Sequence, residues 1–200
     1  MPVLGITGGI ATGKSSLSCS LQPLIGAKFF DADKCARELL ADDADVLRSV
    51  REKFGDQVFA ANGGLDRAKI REIVFNDETQ RRSLEAILHP IIRERWLKLA
   101  RKSATETQWL IVDIPLLFET KAELYFDAIV VVACSTGNQR ERIVKSRKLS
   151  EEMAAKMIAS QLPLNSKIQR AHHMIWNDSF PIYLHRQAEM LASLLKKRYG

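Results

Sequence analysis

Gly8-Gly9-Ile10-Ala11-Thr12-Gly13-Lys14-Ser15, directly behind the apolar run Val3-Leu4-Gly5-Ile6-Thr7, fits the spacing G-x-x-x-x-G-K-[ST]. Strand, glycine-rich turn and helix follow one another in the order a phosphate-binding loop needs. Glycines here let backbone N–H groups close around the β- and γ-phosphates of a nucleotide without Cβ interference, and the helix that follows aims its N-terminus at the anion. Lys14 would reach the same phosphates as a point charge, and the Ser15 hydroxyl would hold Mg²⁺. A glycine-rich turn capping an ordinary helix is the alternative; it leaves the order of the elements unexplained.

With 200 residues, 46% of them hydrophobic, the chain can form one globular unit with a real core and room for an inserted subdomain. Lys and Arg number 30 against 24 Asp and Glu, a net charge of +6. That balance suits polyanionic ligands, nucleotides as much as nucleic acids, and equally a plain solvated face. No apolar run approaches the ~18 residues of a membrane span. The strand that begins by Val3 leaves no room for a signal peptide. Cys19, Cys35 and Cys134 are odd in number and outside C-x-x-C spacing. A reduced, cytoplasmic compartment without structural zinc is the expectation.

Beyond the loop, Ser15 to Leu24 reads as a helix ended by the turn at Gly26. Ala27-Lys28-Phe29-Phe30 is a short strand ending at Asp31-Ala32-Asp33. From Asp33 to about Glu106 the pattern is helical and charged, with a hairpin-like break at Asn62-Gly63-Gly64. Leu84, Ile87, Leu88, Ile91 and Ile92 follow helical stripe spacing, and Pro90 within the stripe should kink or split that helix. Trp109–Asp113 and Ala128–Ala133 are apolar on both faces, as in a covered parallel sheet. Met174-Ile175-Trp176 reads as the last strand, before a helix carrying Leu184, Ala188, Leu191 and Leu195 on one side. The fold class is therefore α/β: a parallel sheet flanked by helices, with nucleotide at the carboxyl ends of its strands. Helical stretches at 33–106 and 139–170 interrupt the core of 1–32, 107–138 and 171–200. Kinases of small molecules need such parts, one to hold the acceptor and one to close over the phosphates.

Asp31 and Asp33 follow the second strand on the rim of the phosphate loop, and two residues apart in an extended segment they point the same way. A carboxylate there can take the proton of an attacking hydroxyl. The competing role for Asp33 is the N-cap of the next helix. Asp113 ends the third strand, where an acidic residue reaches Mg²⁺ directly or through water. Ile114-Pro115-Leu116-Leu117-Phe118-Glu119 is apolar for a loop, and lines an acceptor pocket or covers the sheet end. His89 beside Pro90 reads first as a helix-terminal histidine in a structural hydrogen bond, and second as a ligand of a phosphate. Arg140, Arg142, Arg147 and Lys148 precede the helical pattern of Glu151–Leu162. Here a lid arginine on the transferred phosphoryl and a solvated basic helix are equal readings.

Across nearly its whole length the chain resembles the dephospho-coenzyme A kinases. Thr7-Gly8-Gly9-Ile10 with Gly13-Lys14-Ser15, then Asp31-Ala32-Asp33 and Ala36-Arg37, are similar to that family's opening blocks. Leu65-Asp66-Arg67 with Phe75, Leu84-Glu85 and Leu88-His89-Pro90 are similar to its middle block. Pro115-Leu116-Leu117-Phe118-Glu119 is the most family-specific stretch, and Gln139, Arg142, Gln161 and Asn177 resemble its carboxyl-terminal markers. The resemblance implies ATP-dependent phosphorylation of the ribose 3′-hydroxyl of dephospho-CoA, on a build of core, CoA-binding helical domain and lid. It implies Asp33 as general base, with Lys14 and Arg142 stabilising the transferring phosphoryl group. ATP contacts are implied for Gly8, Gly9, Ala11, Thr12, Gly13, Lys14, Ser15, Ser16, Arg142, Arg147 and Asn177. Substrate contacts are implied for Asp31, Asp33, Arg37, His89, Pro115, Leu116, Leu117 and Glu119, and Mg²⁺ contacts for Ser15 and Asp113. The chain departs from the family's usual residues at Ala11, Thr12, Ser146, Met157, His172 and Asp178. Ser146 stands where a second lid arginine is common, with Arg147 one step later.

The nearest rival is another small-molecule or nucleotide kinase on the same scaffold. A regulatory GTPase lacks its N-K-x-D motif here. A non-catalytic basic module for nucleic acid leaves the phosphate loop unexplained. The expectation is a monomer or weak homo-oligomer that binds dephospho-CoA and neither nucleic acid nor membrane.

Overall fold

A computed structural model describes residues 2–199. Five strands, β1 (Val3–Gly8), β2 (Lys28–Asp31), β3 (Leu110–Asp113), β4 (Ala128–Ala133) and β5 (His173–Trp176), form a sheet in the order β2-β3-β1-β4-β5. All its pairings are parallel. β3 and β4 are buried along their whole lengths, so these apolar runs are strands covered on both faces, as the sequence indicates. β5 starts one residue earlier than the apolar pattern suggests.

One face of the sheet is covered by α1 (Lys14–Ile25) and α9 (Pro181–Tyr199). Leu17 and Leu21 of the first, with Leu184, Ala188, Leu191 and Leu195 of the second, pack against Leu4, Ile6, Ile111, Val130 and Val132. On β1 a Cβ at Gly5 would lie 2.8 Å from Leu117 Cδ1, so the strand has no room for a larger residue there. α1 stops where Gly26 takes a left-handed conformation, φ 62°, and Gly26 N–H and Ala27 N–H donate to the Pro23 and Gln22 carbonyls.

The chain divides into two compact units. One holds the sheet, with residues up to Asp31 and from Leu99 onward; the other is Ala32–Lys98. The second unit is helical: α2 (Ala32–Asp42), α3 (Ala44–Phe54), α4 (Arg67–Asn76) and most of α5 (Glu78–Thr105). Asp43 caps α3, accepting from Val46 N–H at 3.2 Å, and its other oxygen takes Arg95 Nη2 of α5 at 3.3 Å. Phe59 and Leu65 bridge antiparallel across the Asn62-Gly63-Gly64 turn. Pro90 does not split α5. Its ring removes one hydrogen bond, but Leu88, Ile92 and Trp96 on one face are all buried, and that packing spans the break. His89 is partly buried in the same helix. Burial holds its imidazole below the ordinary histidine range, with nearby Glu85 pulling upward and Arg93 downward.

Beyond β4 come α6 (Thr136–Arg147), α7 (Glu151–Ala159) and α8 (Leu164–Arg170). Ser135 and Ser150 cap the first two by accepting from Asn138 and Met153 N–H. α7 ends three residues short of the Leu162 expected from the pattern. Ile143, Ala154 and Met157 form a small separate core with Ile10 and Ala11 of the loop after β1. In α8, Lys167 is fully buried. Its ammonium pairs with Glu119 Oε1 at 2.7 Å and donates to the Pro115 carbonyl at 3.0 Å; Glu119 also accepts from Leu162 N–H at 3.0 Å. Removing one partner of a buried pair leaves the other charge desolvated. Lys167→Met should therefore cost about 3–5 kcal/mol in urea unfolding, and adding Glu119→Gln should return part of that loss.

Burial also lowers the His173 imidazole, with His172 and Arg198 acting in the same direction. Below about pH 6.5 the unfolded chain takes up protons that folded His89 and His173 resist, so stability falls with falling pH. The melting temperature is expected to drop between pH 7.5 and 5.5, and the slope to flatten in a His89→Gln/His173→Gln variant.

Candidate active site

β1 delivers the chain to the carboxyl rim of the sheet at Gly8, and α1 starts again at Lys14. The turn between them is wrapped by side chains. Lys14 Nζ donates to the Gly9 carbonyl at 2.9 Å, and the buried Thr12 hydroxyl donates to the same oxygen at 2.9 Å. Gln139 Nε2 of α6 donates to the Ile10 carbonyl at 2.8 Å, while Gln161 Oε1, between α7 and α8, accepts from Ile10 N–H at 2.9 Å. Asn177 Nδ2, just past β5, donates to the Thr12 carbonyl at 2.9 Å. Glycine is required here for close approach. A Cβ at Gly9 would lie 2.5 Å from Gln139 Nε2, and one at Gly13, where φ is +100°, would lie 2.1 Å from Asn177 Nδ2.

Gly13 precedes α1 without a side-chain cap, and the N–H groups in the first turn of a helix are natural donors to an anion. Ser15 and Ser16 are exposed in that turn. Arg142 of α6 donates through Nη2 to the Asn177 carbonyl at 2.8 Å; its Nη1 is buried with no hydrogen-bond acceptor in place. Burial raises the Cys134 thiol at the end of β4 above its ordinary value, opposed by the charges of Arg142 and Lys14, with Asp178 raising it further. Two cations and a helix N-terminus thus converge on this rim, an arrangement that favours a polyphosphate. Asp31 and Asp113 close neighbouring strands in register with one another, and Asp113 is also paired with Ile6 of β1. Thr7 donates its hydroxyl to the Pro115 carbonyl at 3.1 Å, which fixes the turn after β3 against β1.

Several expected residues occupy places that sequence spacing does not convey. Thr12 is enclosed, and its hydroxyl braces the loop from within. Asn177 spends its amide on the loop backbone. Leu117 is core, Pro115 and Leu116 are half-buried, and Glu119 is committed to Lys167 and Leu162 N–H. Asp33 is not in an extended segment with Asp31: it is the second residue of α2, inside the first turn rather than at an N-cap. Asp33 and Arg37 are exposed one turn apart on α2, in the helical unit that also holds His89. Arg147 is the exposed last residue of α6, before Lys148 turns left-handed at φ 52°. Five residues of helix carry it about 140° around the axis from Arg142, so an ATP contact by Arg147 is not what its position favours. No group of three or more acidic, histidine or cysteine side chains suited to a metal is present among the described residues. None of the described helices is long and apolar enough to cross a membrane.

Sequence reading missed Lys167 altogether and did not give Gln139 or Gln161 a task. For Lys167 and Gln139 the available signal was a polar residue that helical phase turns inward, specific only with the partner backbone in view; Gln161, between two helices, carried no such signal.

Residues 2–181 match the model of the family described as dephospho-CoA kinase. The dephospho-CoA kinase of Staphylococcus aureus is 38% identical over 202 residues, covering 99% of this chain and 97% of that protein. That of Bacillus cereus is 38% identical over 190 residues, covering 94% of each. Among solved structures, dephospho-CoA kinase from Campylobacter jejuni superposes with a TM-score of 0.71 at 26% identity, covering 99% of this chain and 98% of that one. A shikimate kinase from Acinetobacter baumannii shares the fold, with a TM-score of 0.57 at 15% identity over 100% of this chain and 95% of its own. With residues 2–181 matching the family's model and 38% identity to a member over nearly its whole length, the chain belongs to the dephospho-CoA kinase family.

Proposed function

We infer that this protein transfers the γ-phosphoryl group of ATP to the ribose 3′-hydroxyl of dephospho-CoA, giving coenzyme A and ADP. The observation that carries the reading is Lys14 at the head of an uncapped helix, on a loop braced from outside, in a chain of this family. The hydroxyl oxygen forms the new bond to Pγ as the bridge to the β-phosphate breaks, and its proton passes to the Asp33 carboxylate. Asp31, on the strand before it, orients the acceptor. Lys14 and Arg142 meet the charge that spreads over the transferring group. Ser15 and Asp113 are hard oxygen donors, and Mg²⁺ needs few of these from protein when phosphates supply the rest. They would hold the ion, which when bound neutralises phosphate charge.

The helical unit 32–98, with Arg37 and His89, is assigned to the CoA moiety, and the stretch 139–170 to closure over the phosphates. Pro115 and Leu116 shape the acceptor wall, Leu117 anchors it in the core, and Glu119 acts on it through Lys167. Gly8, Gly9, Ala11, Thr12, Gly13 and Ser16 contribute as parts of the loop and the first turn of α1.

An ADP-release assay should show turnover with dephospho-CoA and little with adenosine, AMP or pantetheine; equal rates across that panel would overturn the substrate assignment. Lys14→Ala should lower kcat by about 10²–10³ with the fold intact. Asp33→Asn should cut kcat far more than it raises KM for ATP, and Asp31→Asn should be milder. Equal, small effects at both aspartates would remove Asp33 as the base. With saturating ATP, Arg142→Ala is expected to lose about 10²–10³ in kcat and Arg147→Ala to stay near the parent rate. Strong, non-additive losses at both would instead put the two guanidinium groups on one phosphoryl group.

A further inference from the structure

Two carbonyl groups of the phosphate loop are turned outward by neutral amides from distant elements. Gln139 Nε2 holds the Ile10 carbonyl at 2.8 Å, and Asn177 Nδ2 holds the Thr12 carbonyl at 2.9 Å. A trans peptide unit is planar, with its C=O and N–H pointing in opposite directions. Since the Ile10 carbonyl faces Gln139, the Ala11 N–H of the same unit points to the other side. Since the Thr12 carbonyl faces Asn177, the Gly13 N–H does likewise. The preceding unit is reversed: its Gly9 carbonyl accepts from Lys14 at 2.9 Å, and its Ile10 N–H faces outward to Gln161. The loop therefore has an inner side marked by Lys14 and an outer side marked by the glutamines.

We propose that Gln139 and Asn177 are positioning residues for phosphoryl transfer. By holding the Ile10 and Thr12 carbonyls outward, they fix the Ala11 and Gly13 N–H groups as inward donors to the phosphates of the nucleotide. The proposal rests on the reading that this loop holds ATP, and it moves Asn177 from a contact with the nucleotide to a contact with the backbone that binds it.

Both amides are buried and fixed. Gln139 is 4% exposed and Asn177 9%. Asn177 N–H donates to the Ala133 carbonyl at 2.7 Å and its own carbonyl accepts from Arg142, so its side chain leaves from a fixed backbone. Ala11 has φ +58°, a left-handed conformation that a non-glycine residue keeps only when its surroundings demand it. The chemistry also dictates which end of each amide faces the loop: a backbone carbonyl needs the nitrogen. Neutral donors suit the task, because a cation here would compete with the inward groups for the phosphates.

The test uses isotope-labelled full-length protein and Mg·ADP, following backbone amide signals. In the parent, the Ala11 and Gly13 amide protons should move downfield on nucleotide binding. Gln139→Glu, which puts an acceptor where a donor was, should abolish the Ala11 response and leave that of Gly13. Asn177→Asp should do the reverse. Each should raise KM for ATP about tenfold or more, the scale of one hydrogen bond to a charged group, without changing KM for dephospho-CoA. A structural role alone would lower the melting temperature and the active fraction with no such reciprocity. Should the acidic variants not fold, Gln139→Met and Asn177→Ala remove the donors without adding charge and carry the same expectations. Responses that persist in the variants, or vanish together in each, overturn the positioning role. Absence of a response at both amides in an active parent enzyme would instead overturn the reading of the loop.

Discussion

Val3–Gly8 is hydrogen-bonded along both edges, to Leu110–Asp113 on one side and Ala128–Ala133 on the other, and past Val3 it is buried throughout. A shift of one residue would turn its apolar side chains onto the wrong face, so the register is pinned. Its point of exit at Gly8 is pinned with it, and the loop, Lys14 and the axis of α1 all take their positions from that point. Asp31 and Asp113 reach the same rim because their strands are aligned with this one. The chemistry at the rim is thus a consequence of burial in the centre of the sheet.

A loop that turns its N–H groups to one side must satisfy its carbonyls elsewhere, since an unpaired buried carbonyl is costly. Here side chains from α6 and from the end of β5 take the Ile10 and Thr12 carbonyls, while one from the α7–α8 connection accepts from the Ile10 N–H. These elements are in turn tied to the turn after β3. Leu162, next to Gln161, donates to Glu119, which pairs with Lys167, whose ammonium shares the Pro115 carbonyl with Thr7 of β1. The path closes on the strand from which the loop departs.

Much of this was legible in the residues alone. Apolar runs such as Ala128–Ala133 identify covered strands, and the glycine spacing with Lys14 identifies the loop, because both depend on local pattern. The family blocks bring Asp31, Asp33, Arg142 and the Pro115–Glu119 turn into view. Other features depend on pairings that no local pattern encodes. Gly9 and Gly13 read as accommodating phosphate, yet each also makes room for an amide arriving from the rear. Lys167 reads as one more surface lysine on a short helix until Glu119 stands beside it. Asp33 follows so closely on a strand that an extended backbone is the natural expectation, and only the start of α2 at Ala32 removes it. Pro90 carries a local breaking signal that Leu88, Ile92 and Trp96 override by packing.

The small core of Ile143, Ala154 and Met157 is completed by Ile10 and Ala11, and the polar clasp beside it joins Ile10 to residues 129 and 151 positions further along the chain. Contacts of such long sequence separation are slow to form, because loop closure must precede any gain from them. α6 and α7 cannot complete their apolar packing as a nascent helical pair; they need the turn after β1 already in place to pack on. The pairing of β1 with β4 closes a stretch of chain about as long, so the centre of the sheet and the packing of α6 and α7 on Ile10 and Ala11 depend on the same closure.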